Sequence, residues 1–365
     1  MHRTQSGRPL VGLTVLVLSA RGAGSAVGLV FGLVLLLVVA VVGIGAWYSL
    51  FRNESGLAPG RSVQVVIPAD SSSAQIAATL ARSGVVPNAL MFRIQARLNK
   101  GDSKLKPGTY DLTTGMDYLD AIATLEAGPT VVYYTVAIPE GWTIDEIAKR
   151  VEAKTGVPAA EFEKVAKTSA QDAQLLAKYP FLSSNKTPSL EGYLFPKTYQ
   201  VKKGSSALTI IGQMLTQFGE ETGGLDLSRA ASAGISEHGV VTIASIIERE
   251  ASVPRDRPLV ASVIYNRLAK KMRLQLDSTV MYVVGNKTLS LADLKVASPY
   301  NTYQNMGLPP GPIASPGLVA LQAAAAPAQT TYLYYIMDHK DGSQSYADTY
   351  AQFLVLKAQA RKGLK

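Results

Sequence analysis

The chain has 365 residues, 47% of them hydrophobic and 17% charged, with a formal charge of +9 and no cysteine. That composition excludes a disordered chain, disulfides, thiolate nucleophiles and a thiol-linked lipid anchor. The basic excess lacks the Lys/Arg clusters with interleaved aromatics of a nucleic-acid face, so no nucleic-acid partner is predicted, and His2, His238 and His339 are too few for a polyhistidine metal site.

Between Arg21 and Arg52 no residue is charged. Residues 26–50 are therefore predicted to form a transmembrane helix, long enough for an apolar bilayer core of about 30 Å. Trp47 and Tyr48 sit at its far end, where amphipathic rings favour the headgroup region. Arg3, Arg8 and Arg21 precede it, whereas Arg52 is closely followed by Glu54. The positive-inside rule then predicts a cytoplasmic N-terminus (1–25), a single pass through the cell membrane and an extracytoplasmic body. A cleaved signal peptide is the rival reading, but its apolar region would be too long and no small-x-small site follows.

After a linker (51–61), residues 62–67 read as a strand that opens an internal repeat. The segment IPADSSSAQIAATL (67–80) aligns without gaps on IPEGWTIDEIAKRV (138–151). In each copy a hydroxyl residue, Ser72 or Thr143, stands at a helix N-cap, and its capping-box partner, Gln75 or Glu146, comes three positions later. Apolar pairs at helical spacing follow, and Gly84 and Gly156 close the two helices. Each copy thus resembles the small α+β unit of LysM carbohydrate-binding modules, although any capped strand-loop-helix pair reads alike. Residues 62–157 are assigned to this LysM-like subdomain, with a further strand near 106–112 and a helix at 118–127. From about Pro158 the helices lengthen: 159–168, 170–178, 206–220 and 239–251. Residues 158–365 form the candidate catalytic domain, and the fold class is α+β.

Four motifs carry the chemistry of that domain. In ASIIEREA (244–251), Val240, Ile243, Ala244, Ile247 and Ala251 share a helical stripe, with Glu248 and Glu250 on its opposite edges. A carboxyl held against apolar surface keeps its proton to higher pH, which suits an acid that cleaves a glycosidic bond. The bland alternative pairs both glutamates with buried arginines such as Arg267 or Arg273. Periodicity does not choose between Glu248 and Glu250, although the smaller neighbours of Glu248 leave more room. In RLQLDST (273–279), Gln275 and Asp277 alternate with Leu274 and Leu276, as in a strand with one polar face. SPYNTY (298–303) followed by GLPPGPIASPG (307–317) must be a stiff loop, whose Tyr300, Asn301 and Tyr303 suit sugar recognition or simply a proline-rich turn.

Together with LEGYLFP (190–196), these motifs in this order resemble the YceG-like family of endolytic murein transglycosylases, from about residue 62 to the C-terminus. The resemblance implies a membrane-anchored LysM-like subdomain joined to a larger catalytic domain, with Glu248 as catalytic acid and base. It places Glu191, Gln275, Asp277, Tyr300 and Asn301 along a substrate cleft and implies no metal or cofactor. One departure is Lys197, where the family usually has an acid. The implied activity is scission of the bond between N-acetylmuramic acid and N-acetylglucosamine in nascent peptidoglycan strands, leaving a 1,6-anhydro end, beside the synthases (penicillin-binding proteins). A water-using muramidase and a non-catalytic wall-binding scaffold are the alternatives.

Overall fold

A computed structural model of the chain describes residues 25–51, 56–100, 103–285 and 288–362. The residues that set the expected orientation of the span, Arg3, Arg8, Arg21, Arg52 and Glu54, lie outside them. The chain divides into two compact units, Met1–Thr130 and Val131–Lys365.

In the first unit, helix α1 (Ser25–Phe51) has 27 residues and so rises about 40 Å. Its segment Val30–Tyr48 is long and apolar enough to cross a membrane, and none of it is buried. Then follow β1 (Ser62–Ile67), α2 (Ser73–Arg82), α3 (Ala89–Leu98), β2 (Gly108–Thr113) and α4 (Tyr118–Ala127). β1 and β2 pair antiparallel, from Ser62 opposite Thr113 to Ile67 opposite Gly108. Strand alternation turns Val65 and Ile67 onto one face, where they form a core with Leu80, Phe92, Tyr110 and Leu125. Val66 points the other way and is exposed.

The second unit runs through β3 (Tyr133–Ala137), α5 (Ile144–Thr155), α6 (Ala159–Thr168), α7 (Ala173–Lys178), β4 (Thr198–Lys202), α8 (Ala207–Thr222) and α9 (Ser228–Ser232). It continues with α10 (Glu237–Glu250), α11 (Arg257–Ala269), α12 (Asp277–Val284), α13 (Leu318–Ala325), β5 (Tyr334–Met337), β6 (Gln344–Ala347) and α14 (Tyr350–Arg361). α10 is its central post: every residue from His238 to Ile247 is buried, and α11, α12 and α13 pack around it.

Both capping boxes of the repeat are present. Ser72 N–H donates to Gln75 Oε1 at 2.8 Å, and Thr143 N–H to Glu146 Oε2 at 2.9 Å. The second copy nevertheless belongs to the second unit, although the repeat pointed to a boundary at 157. Its strand β3 pairs with β4 (Tyr133 opposite Lys202), and α5 packs on β3 and α6. Thr143→Ala removes the side-chain cap of α5 and should cost about 1 kcal/mol, read as a lower midpoint in denaturant unfolding.

The predicted strand at 273–277 is not one. Residues 273–276 are irregular, Gln275 takes a left-handed φ of 49°, and Asp277 already starts α12. Leu274 and Leu276 are buried and Gln275 and Asp277 exposed, so the period of two is real. It comes from an irregular segment with no ladder. The backbone bonds instead to Thr302, whose carbonyl accepts from Gln275 N–H at 3.1 Å and whose hydroxyl accepts from Leu276 N–H at 2.9 Å.

Candidate active site

Apart from Glu237 at its start, α10 surfaces in its last turn, at Glu248, Arg249 and Glu250. The Glu248 side chain is 7% exposed and is held from two sides. Arg257, the first residue of α11, donates from Nη2 to its Oε1 at 2.8 Å. Gly317, just ahead of α13 at the end of the proline-rich loop, donates its backbone N–H to Oε2 at 3.0 Å. Burial pushes the carboxyl up from its ordinary value, and the half-exposed Glu140 nearby adds to this, while the Gly317 N–H and the Arg257 charge pull the other way. The net shift is upward.

Glu140 lies 3.7 Å from the same Arg257 nitrogen, so one guanidinium serves two carboxylates. The turn carrying Glu140 is bolted down on both sides. Gly141 N–H donates to Ser315 O at 2.8 Å, Ser315 N–H to Trp142 O at 2.7 Å, and Arg249 Nη1 to Gly141 O at 3.0 Å. The arginine that meets Glu248 is thus Arg257, not Arg267 or Arg273. Arg267 instead donates to the carbonyls of Leu333 and Leu274, both at 2.6 Å. Glu250 faces the other way, accepting from Tyr335 Oη at 3.0 Å and Ser278 N–H at 3.3 Å.

Glu191 is elsewhere in the second unit, on the wall of a cavity of about 420 Å³ that Arg249, Thr143, Tyr282 and Ile313 also line; Glu248 is not among its lining residues. Its side chain sits at the N-terminus of α5, where Ile144 N–H donates to both oxygens at 3.2 Å, and Tyr282 Oη lies 3.4 Å away. Burial outweighs those bonds and, with the nearby Asp145 charge, raises the carboxyl to about 8. The folded state therefore holds this proton more tightly than the unfolded chain does, so Glu191 costs stability increasingly as pH rises from about 4.5 to about 8. Glu191→Gln should accordingly melt higher than the unchanged protein at pH 9 and show no such advantage at pH 4, by thermal unfolding monitored with circular dichroism.

The loop motifs are divided between surface and scaffold. Tyr300 is half-buried, its ring 5.1 Å from that of Tyr282. Gln275 is exposed, as is Asp277, which accepts from Tyr303 Oη at 2.6 Å. Asn301 departs from the expected sugar contact: it is fully buried. Its amide donates to the carbonyls of Leu294 and Val296 (3.1 and 2.9 Å), and its Oδ1 accepts from Tyr303 N–H at 2.9 Å. Both amide hydrogens are thus used within the loop, and the side chain does not reach the surface. His238 anchors the other half of the loop, with Nε2 2.9 Å from Pro310 O and Nδ1 2.9 Å from Tyr193 Oη. Burial lowers its proton affinity, which suits a neutral ring donating to the carbonyl and accepting from the phenol.

Residues 65–359 match the YceG-like family. The chain belongs to the YceG-like family. It is 34% identical over 310 residues to a Streptococcus pneumoniae protein named endolytic murein transglycosylase, covering 78% of this chain but only 56% of that one. A Bacillus subtilis protein of the same name is 35% identical over 288 residues, which are 75% of this chain and 78% of that relative. The crystal structure of a yceG-like protein from Listeria monocytogenes matches with a TM-score of 0.56 and 36% identity, covering 81% of this chain and 99% of that one.

This YceG-like chain holds two site residues that motif reading passed over, Arg257 and Glu140. Arg257 lies outside the four motifs, and only the fold brings it to Glu248. Glu140 did leave a signal: the repeat copies diverge there, Ala69-Asp70-Ser71 in the first against Glu140-Gly141-Trp142 in the second. Lys197, the departure from the family pattern, forms an ion pair with Glu221 at 3.1 Å. Among the described residues no group of three or more His, Asp or Glu side chains is placed to hold a metal.

Proposed function

We propose that this chain is an endolytic lytic transglycosylase of peptidoglycan, with Glu248 as both acid and base. The observation that carries the proposal is the Glu248 carboxyl, raised by burial at the exposed end of a buried helix and tied to the proline-rich loop through Gly317, in a chain similar to proteins of that name.

Protonated Glu248 gives its proton to the oxygen bridging N-acetylmuramic acid and N-acetylglucosamine. The C1–O bond breaks with its electron pair going to the leaving N-acetylglucosamine. The muramic C6 hydroxyl then bonds to C1 and returns its proton to the Glu248 carboxylate, closing a 1,6-anhydro ring without water. Arg257 and the Gly317 N–H stabilise the carboxylate between the two proton transfers. Because Arg257 also faces Glu140, a small shift of the guanidinium toward Glu140 leaves Glu248 free to take up its proton.

Glu191, Tyr300, Gln275 and Asp277 are the substrate-contacting residues of this reading, and Asn301 shapes their loop. Residues 131–365 form the catalytic body. The first unit, with strand, two helices and a returning strand, is read as LysM-like and glycan-binding. α1 is read as a single membrane pass with a cytoplasmic N-terminus, so that the body works outside the cell membrane on strands emerging from the synthases.

The buried Arg257 pair favours a second reading, in which Glu248 is only a structural tie and the chain binds the wall without cutting it. Digestion of purified glycan by the full chain, with mass analysis of the new ends, decides. Anhydro ends support the proposal, reducing ends indicate a muramidase, and intact glycan supports the scaffold.

A further inference from the structure

We infer that the outer face of α3 docks on an anionic lipid surface, the bilayer that α1 enters; the inference rests on reading α1 as a membrane span. α3 packs into its unit through Phe92 and Ala96 and turns Leu90, Arg93, Ile94, Arg97 and Leu98 outward around a shallow groove. Leu90, Ile94 and Leu98 are 47%, 40% and 73% exposed. Spaced four apart on a helix, they form a stripe that drifts by about 40° per step, with Arg97 and Arg93 along one border. An apolar strip edged by guanidinium groups is the pattern of a helix lying in a membrane interface, with the apolar side chains among the acyl chains and the cations at the headgroups.

Charge and reach select the occupant. Across residues 89–108 the chain carries Arg93, Arg97, Lys100, Lys104 and Lys106 against Asp102 alone, a balance that complements anionic headgroups. The ten residues 52–61 between α1 and β1 span at most about 35 Å, so the unit cannot leave the neighbourhood of a bilayer crossed by α1. Within the unit α1 and α3 are in contact. A second copy in an antiparallel two-fold pairing fits the face poorly, since that pairing sets the arginine border of one copy near that of the other.

The absence of cysteine allows a direct test in the full chain. Leu98→Cys and, as comparator, Val66→Cys on the outer sheet face carry an environment-sensitive fluorophore, and the protein is reconstituted into phosphatidylcholine vesicles with or without phosphatidylglycerol. Doxyl-labelled lipid should quench position 98 at least twofold more than position 66 in the anionic vesicles. Adding Arg93→Glu and Arg97→Glu should bring quenching at 98 down to the level at 66. Equal quenching at the two positions, or quenching at 98 that survives the double charge reversal, overturns the inference. So does a fluorophore at 98 that is shielded without being quenched by lipid, which would mean that a second copy covers the face. A carbonate wash separates the premises: protein stripped from the vesicles refutes the span, whereas retained protein with an unquenched position 98 refutes only the docking.

Discussion

Glu248→Gln is expected to abolish glycan cleavage, by about 10³-fold or more, because the same carboxyl both donates and recovers the proton. Glutamine has nearly the same volume, and its carbonyl oxygen can still accept from Gly317 N–H or Arg257. The Arg257 charge also retains Glu140, 3.7 Å away, as an anion. The variant should therefore fold, with a loss of about 1–2 kcal/mol seen as a melting temperature a few degrees lower. Glu250→Gln is the discriminating partner. It lies two residues on, bonded to Tyr335 and Ser278 on the other side of the helix, and most of the cleavage should remain. A Glu248→Gln protein that still released glycan fragments at the normal rate would falsify the assignment, and an inactive Glu250→Gln would move it by two residues.

Gly192→Ala should be among the most destabilising single-methyl changes in the second unit. Gly192 has a φ of 85°, where an L side chain is strained, and an added Cβ would lie 2.4 Å from Pro312 Cβ and 3.1 Å from Val241 Cγ1. A proline ring cannot rotate away as a flexible side chain can, and Val241 belongs to the buried face of α10. Backbone strain and overpacking together should cost about 3 kcal/mol or more, lowering the melting temperature by roughly 6–12 °C. Because the clash falls on the proline-rich loop, cleavage should also drop at temperatures where the protein remains folded. An alanine variant that melted with the unchanged protein would mean that the loop and the 190–193 turn do not touch as described.

What could be read from the chain beforehand divides by the range of the forces involved. Capping boxes are local, so Ser72 with Gln75 and Thr143 with Glu146 were visible three residues apart. The buried stripe of α10 was visible in its period, and the divergence of Glu248 from Glu250 follows from about 200° of helical rotation. Strand partners were not visible: nothing within β3 reveals that it pairs with β4, some sixty residues on, and so the repeat alone misplaces the division between the units. The Arg257–Glu248 pair is hidden for a related reason, since a tight turn between α10 and α11 folds the guanidinium back onto the carboxylate. Asn301 shows the limit of residue type as a guide. An amide in a stiff loop serves a sugar or the loop itself equally well, and only the positions of the Leu294 and Val296 carbonyls decide. At Gln275, alternating exposure mimicked a strand that the left-handed backbone forbids.

The bond from Gly317 to Glu248 makes loop position and proton affinity two faces of one equilibrium. The N–H stabilises the charged carboxyl, so any ligand that draws Gly317 away weakens the anion and increases its hold on hydrogen ions. Thermodynamic reciprocity then requires such a ligand to bind with net proton uptake and more tightly as the medium becomes more acidic. The arriving molecule would thereby load the group that is to act on it, and calorimetry in buffers of different ionisation enthalpy would register that uptake in Glu248 protein and not in the glutamine variant.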